Sequence, residues 1–276
     1  MTKSAQLVSE AGTTVLNITA ADVQIDALKV VEIALQAGVE VMAIYKTDFT
    51  VEHKADESPL TEADLAANRI IKDGLNKLTP TIPILSEESL VEWEIRKDWQ
   101  YLWCVDPVDG TKEFVNRTDE FTINIALVEG NRPILGVVHA PALGVTYFAT
   151  LNGGAFKIVN GGEPFRITAR PLPIDGPIRV VGSRSHQSTA MVEYMNKLNE
   201  TRKEIDFVKS GSALKFCLVA DGTADMYPRL APTSEWDTAA GHIVVKESGK
   251  TVVQYGLEEE LVYNKQDLLN PWFICS

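Results

Sequence analysis

Apolar residues recur at three- and four-residue steps from about residue 20 to 45, where Leu28, Val31, Leu35, Val39 and Met42 line one stripe of an amphipathic helix. A polar loop from Lys46 to Pro59 leads into Thr61-Glu62-Ala63-Asp64, which has the form of a helix start with Thr61 as N-cap. Ala67, Ile71, Leu75 and Leu78 continue one apolar face until Pro80 stops it. Two short apolar runs follow, at residues 82–85 and 101–105, each suited to a buried strand. Both run straight into acids: Ser86-Glu87-Glu88-Ser89 after the first and Asp106-Pro107-Val108-Asp109-Gly110-Thr111 after the second. Carboxylates at strand ends stand where sheet proteins commonly build their sites.

From residue 121 to 158 the pattern changes to β-runs at 122–128, 134–139, 145–150 and 155–158, broken by Glu129-Gly130-Asn131 and Asn152-Gly153-Gly154. This predicts an antiparallel meander. The stretch 160–177, rich in glycine and proline, reads as a linker. Beyond it, strand-like segments at 178–181, 207–208 and 224–227 alternate with helical ones at 189–199, 213–220 and 237–248, with Gly249 as the last stop. The predicted architecture is α+β followed by α/β, packed in layers. It divides into an N-terminal part, 1–170, carrying most of the acids, and a smaller C-terminal part, 171–276. No internal repeat or heptad array is present.

The 26 basic and 38 acidic residues leave a net charge of −12, which repels nucleic-acid backbones and anionic lipids. DNA binding and stable membrane insertion are therefore not expected. The three cysteines, Cys104, Cys217 and Cys275, show no C-x-x-C spacing and read as reduced thiols. The start of the chain has no signal-peptide pattern, and no apolar run is of membrane-spanning length. A cytoplasmic protein, monomer or homodimer, is expected.

Asp106-Pro107-Val108-Asp109-Gly110-Thr111 has two readings. As a turn it is ordinary, since Asp-Pro and Asp-Gly are both turn pairs. As a site, it holds two carboxylates beside a proline of fixed φ, able to converge on one cation, while the amides of Gly110 and Thr111 can face an anion. Oxygen ligands alone select a hard cation, Mg²⁺ rather than zinc. Glu87 and Glu88 also read as solvated loop acids, Asp64 as the closing residue of its own capping box, and Asp237 as an N-cap. The functional case rests on their occurring together. Two carboxylates about 4 Å apart repel by about 4 kcal/mol at an effective dielectric of about 20, so several converging acids call for bound cations at neutral pH.

The hexapeptide, with Ser86-Glu87-Glu88 before it and Glu235-Trp236-Asp237-Thr238-Ala239-Ala240 after it, resembles the inositol monophosphatase superfamily of Mg²⁺-dependent, lithium-sensitive phosphatases, over roughly residues 25–272. Lys112-Glu113, where inositol monophosphatases proper usually carry Thr-Asn, resembles the 3′(2′),5′-bisphosphate nucleotidase branch. Residues 58–64, 121–127 and Ser183-Arg184-Ser185-His186 are similar to its bacterial CysQ-type members. The resemblance implies a layered αβαβα sandwich, of the type also seen in fructose-1,6-bisphosphatase, binding two or three Mg²⁺ ions. Glu87, Asp106, Asp109, Asp237 and the Val108 carbonyl would hold the metal, with Glu88 beside them. Asp64 and Thr111 would position the attacking water, and the amides of Gly110 and Thr111, next to Lys112, would hold the phosphate. Ser183, His186, Ser212, Lys215 and Arg229 would bind the nucleotide and its second phosphate.

The implied reaction removes the 3′-phosphate of adenosine 3′,5′-bisphosphate by in-line attack of metal-activated water, with 3′-phosphoadenylyl sulfate as a second substrate. Some relatives of this branch associate loosely with the inner membrane. The alternatives are an inositol monophosphatase or inositol polyphosphate 1-phosphatase of the same fold, and, from another class, a non-catalytic divalent-cation module. Asp64 and Thr111 would have no purpose in mere cation binding, and no EF-hand spacing is present.

Overall fold

The computed structural model of the chain describes residues 7–10, 13–47, 51–53, 59–183, 188–201 and 204–276. It opens with three short strands, β1 (Leu7–Glu10), β2 (Thr13–Ala20) and β3 (Val23–Asp26), paired antiparallel in sequence order. Ala21 and Asp22 turn the chain with positive φ. The helix expected from about residue 20 therefore starts later, as α1 (Ala27–Tyr45), with Asp26 accepting from the Leu28 amide at 2.9 Å. Its buried face follows the expected stripe only in part: Val31 is buried and Leu28 and Met42 pack against the core, but Leu35 and Val39 are 36 % and 73 % exposed, while Val30, Ala34, Ala37 and Val41 are buried. Small alanines let α1 lie close on its neighbours, and that close approach, more than side-chain size, selects the face.

The ribbon β4 (Val51–His53) and β5 (Pro59–Thr61) leads into α2 (Glu62–Leu78). A full capping box starts this helix, as its sequence predicts, and Ala67, Ile71 and Leu75 are buried. Next come β6 (Ile84–Ser86), α3 (Trp93–Arg96), β7 (Tyr101–Asp109) and α4 (Thr111–Val115). β7 does not end at Val105. It continues to Asp109, and its register against the following strand shifts between Asp106 and Asp109. Pro107 has no N–H for the ladder, so an irregularity is expected there.

The meander follows as β8 (Thr122–Glu129), β9 (Arg132–Ala140), β10 (Val145–Thr150) and β11 (Gly154–Val159), joined by β12 (Phe165–Ile167). β12 corrects the expectation of a linker at 160–177, because Ala155 to Lys157 pair with Phe165 to Ile167. A three-residue strand among prolines and glycines is too short to show an alternation. The seven strands β12-β11-β10-β9-β8-β7-β6 form one sheet, antiparallel except for the β6–β7 pair.

The remaining elements are β13 (Ile178–Gly182), α5 (Thr189–Thr201), β14 (Ile205–Lys209), α6 (Leu214–Ala220), β15 (Tyr227–Arg229), α7 (Glu235–Glu247), β16 (Val252–Gln254) and β17 (Phe273–Cys275). β13 and β14 are parallel, and β15-β17-β16 are antiparallel. A bridge between Val180 and Met226 joins the two small sheets.

One core lies between the large sheet and α1 and α2, built around Trp103, Ile125, Leu127, Val137 and Phe148. The other lies on the opposite face, where Leu102, Cys104, Ala126 and Val138 meet α6 and α7. The small sheets cover those helices in turn, with α5 outside them. This is the layered αβαβα sandwich. α7 lies against the sheet at Gly136, where a Cβ would stand 2.5 Å from the Ile243 side chain and 2.6 Å from the Ala240 carbonyl oxygen.

Candidate active site

The acids meet where β7 ends beside the start of α7. One carboxylate oxygen each from Asp106, Asp109 and Asp237 lie within 4.8 Å of one another. The irregular end of β7 brings Asp106 and Asp109 to one side. Asp106 is 1 % exposed and takes the Val108 amide at 3.1 Å. Asp109 is fixed by the Ala213 amide at 2.6 Å and by Thr122 and Asn124, each at 3.4 Å. Asp237 is not the N-cap of α7. Ser234 is, and Asp237 sits at the third helical position, its carboxylate accepting the Ser234 amide at 2.8 Å.

Burial raises the pKa of all three acids, and repulsion within the group adds to it at Asp106 and Asp237. Asp106 is pushed well above the usual carboxylate range by burial and then by Glu87, Asp109, Asp237 and Asp64. Burial takes Asp109 to about 6, against the pull of Lys215. Burial, with Asp109 beside it, takes Asp237 to about 7. Three all-oxygen donors held this close match a hard divalent cation, which would relieve the repulsion they suffer as bare anions.

A cleft of about 370 Å³ opens over them, walled by Glu87, Val108, Gly110, Thr111 and Lys112 among others. Every residue expected to hold metal therefore faces one space. Glu88 is not part of that wall; its amide donates to Ser86 Oγ at 3.4 Å. Gly110 turns with φ of 90°, and a Cβ there would stand 2.1 Å from Ser212 Oγ. Only glycine fits, and the turn starts α4 with the amides of Gly110 and Thr111 among those without helical acceptors, as at any helix start.

Behind this lies the pair expected to position water. Asp64, 2 % exposed, accepts through Oδ2 from the Thr61 amide at 2.8 Å and hydroxyl at 2.6 Å. Its Oδ1 lies 3.4 Å from Thr111 Oγ1.

A second pocket of about 100 Å³ adjoins the cleft, sharing Asp109, Gly110 and Asp237 with it and adding Ser183, Ser212, Lys215 and Arg229. Lys215 is buried, its Nζ donating to the Ser212 carbonyl at 2.6 Å and lying 5.4 Å from the centre of the Tyr227 ring. Burial lowers its pKa to about 8. Among the described residues the buried Nε of Arg229 has no acceptor, although Nη2 donates to the Pro232 carbonyl at 2.8 Å. A third cavity, about 370 Å³, continues past Ser183, Tyr227 and Arg229 beneath α5, lined by Met191, Met195, Ile205 and Phe207. His186 lies outside the described residues.

Residues 7–272 match the inositol monophosphatase family. The chain belongs to that family. It is 45 % identical over 251 residues to the 3′(2′),5′-bisphosphate nucleotidase CysQ of Escherichia coli O6:H1, covering 90 % of this chain and 98 % of that one. It is 38 % identical over 250 residues to the CysQ of Haemophilus influenzae, covering 89 % of this chain and 90 % of that one. Among solved structures, CysQ of Bacteroides thetaiotaomicron, described as a bacterial member of the inositol monophosphatase family, superposes with a TM-score of 0.81 at 40 % identity, covering 91 % of this chain and 96 % of that one.

Sequence reasoning missed several groups of this inositol monophosphatase family site. Glu113 lines both the cleft and the adjoining pocket, and its place directly after Lys112 in the acidic motif was the available signal. Thr122 and Asn124 fix Asp109 but read in sequence only as strand residues. Tyr227 lines the two inner cavities, and nothing in its local sequence marks it.

Proposed function

We propose that this chain is a Mg²⁺-dependent 3′(2′),5′-bisphosphate nucleotidase, removing the 3′-phosphate of adenosine 3′,5′-bisphosphate to leave AMP and phosphate, with 3′-phosphoadenylyl sulfate as a further substrate. One observation carries the choice of substrate: the acidic cleft runs into a pocket with two cations, and that pocket runs into an apolar cavity. This order suits a phosphate to be cleaved, a phosphate to be retained and a base. The Arg229 Nε needs an acceptor of the kind a retained phosphate offers. An inositol monophosphate would use neither the cations nor the apolar cavity.

Two or three Mg²⁺ ions, held by Glu87, Asp106, Asp109, Asp237 and the Val108 carbonyl, would neutralise the phosphoryl oxygens and make water acidic enough to attack. The chain's own residues do the rest. The Thr61 amide and hydroxyl hold Asp64 Oδ2, and Asp64 Oδ1 stands 3.4 Å from the Thr111 hydroxyl, which also lies 3.3 Å from the Val108 carbonyl. With that carbonyl on the metal, the Thr111 hydrogen goes to Asp64. Thr111 Oγ1 then presents a lone pair to a water and orients it, with Asp64 Oδ1 as the proton's destination. The amides of Gly110 and Thr111, at the start of α4, would hold the phosphoryl oxygens. The buried cysteines Cys104, Cys217 and Cys275, all unpaired, suit a reducing cytoplasm.

Phosphate release in Mg²⁺ should favour the nucleotide over inositol 1-phosphate by about a hundredfold in kcat/KM, and excess chelator should stop it. Equal efficiency on both substrates would defeat the substrate assignment, and chelator-resistant release would defeat the metal. Met195→Trp, which fills the cavity under α5, should raise KM for the nucleotide about tenfold. An unchanged KM in that variant would place the base elsewhere.

A further inference from the structure

Two of the acids on the cleft come from segments far apart in sequence, and one buried polar bridge ties those segments together. Glu87 leaves the end of β6 on the loop that runs to α3, and Asp237 stands in the first turn of α7. Arg96, the last residue of α3, is 2 % exposed. Its Nε donates to the Val91 carbonyl of its own loop at 3.1 Å. Nη1 donates to Asn264 Oδ1 at 2.9 Å and to the Lys265 carbonyl at 2.6 Å, and Nη2 to the Gln266 carbonyl at 3.0 Å. Asn264 returns a bond from Nδ2 to the Arg96 carbonyl at 3.0 Å.

The same 264–266 segment grips α7 from its other side. Glu235, fully buried, accepts the Asn264 amide at 2.6 Å through Oε2, and through Oε1 the Lys265 amide at 3.0 Å and the Lys265 ammonium at 2.5 Å. The Glu235 amide donates to the Leu268 carbonyl at 3.0 Å, and Asn270 Nδ2 donates to the Ser234 carbonyl at 2.7 Å. The start of α7 is thus fixed by the C-terminal segment, and that segment by Arg96.

Buried ionic groups contribute little net stability compared with apolar residues of the same shape, because desolvation offsets their attraction. What this network supplies is distance. The guanidinium fork and the carboxylate each meet donors or acceptors on both sides, so neither segment can slide without breaking several bonds.

We propose that Arg96 and Glu235 are positioning residues, which through residues 264–266 set the separation of Glu87 and Asp237 and so the fit of the cleft to its cation. This rests on the reading of those two acids as metal ligands. The test is calorimetric titration of the full chain with Mg²⁺ after chelator treatment, read beside the thermal midpoint in chelator.

Glu235→Gln, which turns an amide N–H₂ toward one of the backbone N–H groups, should raise the Mg²⁺ Kd about tenfold or more. Its lost turnover should return as Mg²⁺ is increased. Arg96→Lys, which keeps the charge and loses the fork, should act in the same direction, and it decides the matter if Glu235→Gln does not fold. Variants that lower the thermal midpoint yet bind Mg²⁺ as tightly as the parent would overturn the proposal, leaving a structural role only. Asp237→Asn separates the two readings: if it binds Mg²⁺ like the parent, the metal assignment has failed. If it alone loses the ion, the bridge has failed.

Discussion

Asp109→Asn ends phosphate release, with kcat lower by on the order of a thousandfold, and weakens Mg²⁺ binding, yet the metal-free protein unfolds no more easily than the parent. The two effects have one cause. Asp109 faces Asp106 and Asp237, with an oxygen of each within 4.8 Å, and burial, opposed by Lys215 and aided by Glu113, raises its pKa to about 6. An asparagine oxygen can still accept the Ala213 amide, which the aspartate takes at 2.6 Å. The amide N–H₂ then points to the neighbouring carboxylates and replaces a repulsion with a hydrogen bond. Phosphate-release assays, Mg²⁺ calorimetry and thermal unfolding in chelator measure the three parts. Turnover at the parent rate would remove Asp109 from the metal-ligand set, and a sharply lower midpoint in chelator would show that its charge supports the fold.

The stabilisation conferred by saturating Mg²⁺ should grow as the pH rises from 5 to 8, by on the order of 3 kcal/mol. Asp109 and Asp237 titrate at about 6 and about 7 in the folded chain, against 3.8 as free groups. A carboxyl raised in this way stabilises the metal-free fold fully below its unfolded pKa, and that contribution is lost as the pH rises through the folded value. In chelator the cleft therefore weakens the fold progressively between pH 4 and about 7. Mg²⁺ must displace the protons to bind, so it gains least where the acids are protonated and most where they are bare.

His139 and His242, both lowered to about 4 by burial, act in the opposite sense, because charging them in the unfolded chain weakens the fold as pH falls. They titrate alike with and without the ion, so the difference between the two melting curves cancels them. A difference that stays flat from pH 5 to 8 would mean that the acids do not share an ion.

The meander was legible because each strand alternates or runs apolar for five residues or more between glycine turns. β10 falls where its pattern places it, at Val145–Thr150. β12 was not, since Phe165–Ile167 offers three residues and only its pairing with β11 makes it a strand. In α1 the expected stripe is only partly kept: Val31 is buried and Leu28 and Met42 pack against the core, but the packing favours alanine at 34 and 37 over Leu35 and Val39.

For the site, the acids stood out only through their occurring together and through the family resemblance, which also implied the pairing of Asp64 with Thr111. The structure gathers Asp106, Asp109 and Asp237 and sets Asp64 beside Thr111, while Asp64 also closes the capping box its local sequence shows. The groups that hold them were not legible. Thr122 and Asn124 bond Asp109, and Arg96 and Glu235 bond the 264–266 segment, through pairings that no local spacing encodes; of the two readings of Asp237, the N-cap belongs instead to Ser234.

The two helices beside the site are packed unequally. α7 presses on the sheet where Gly136 leaves no room for a methyl group, whereas α5 buries only Met191 among its residues and stands over an open cavity. If the cavity beneath α5 admits the base as proposed, substitutions in α7 should disturb the reaction itself, while those in α5 should change mainly which molecule is admitted. On that reading, the loosely packed α5 can be substituted to alter specificity at little cost to the packing that α7 and Gly136 maintain around the acids.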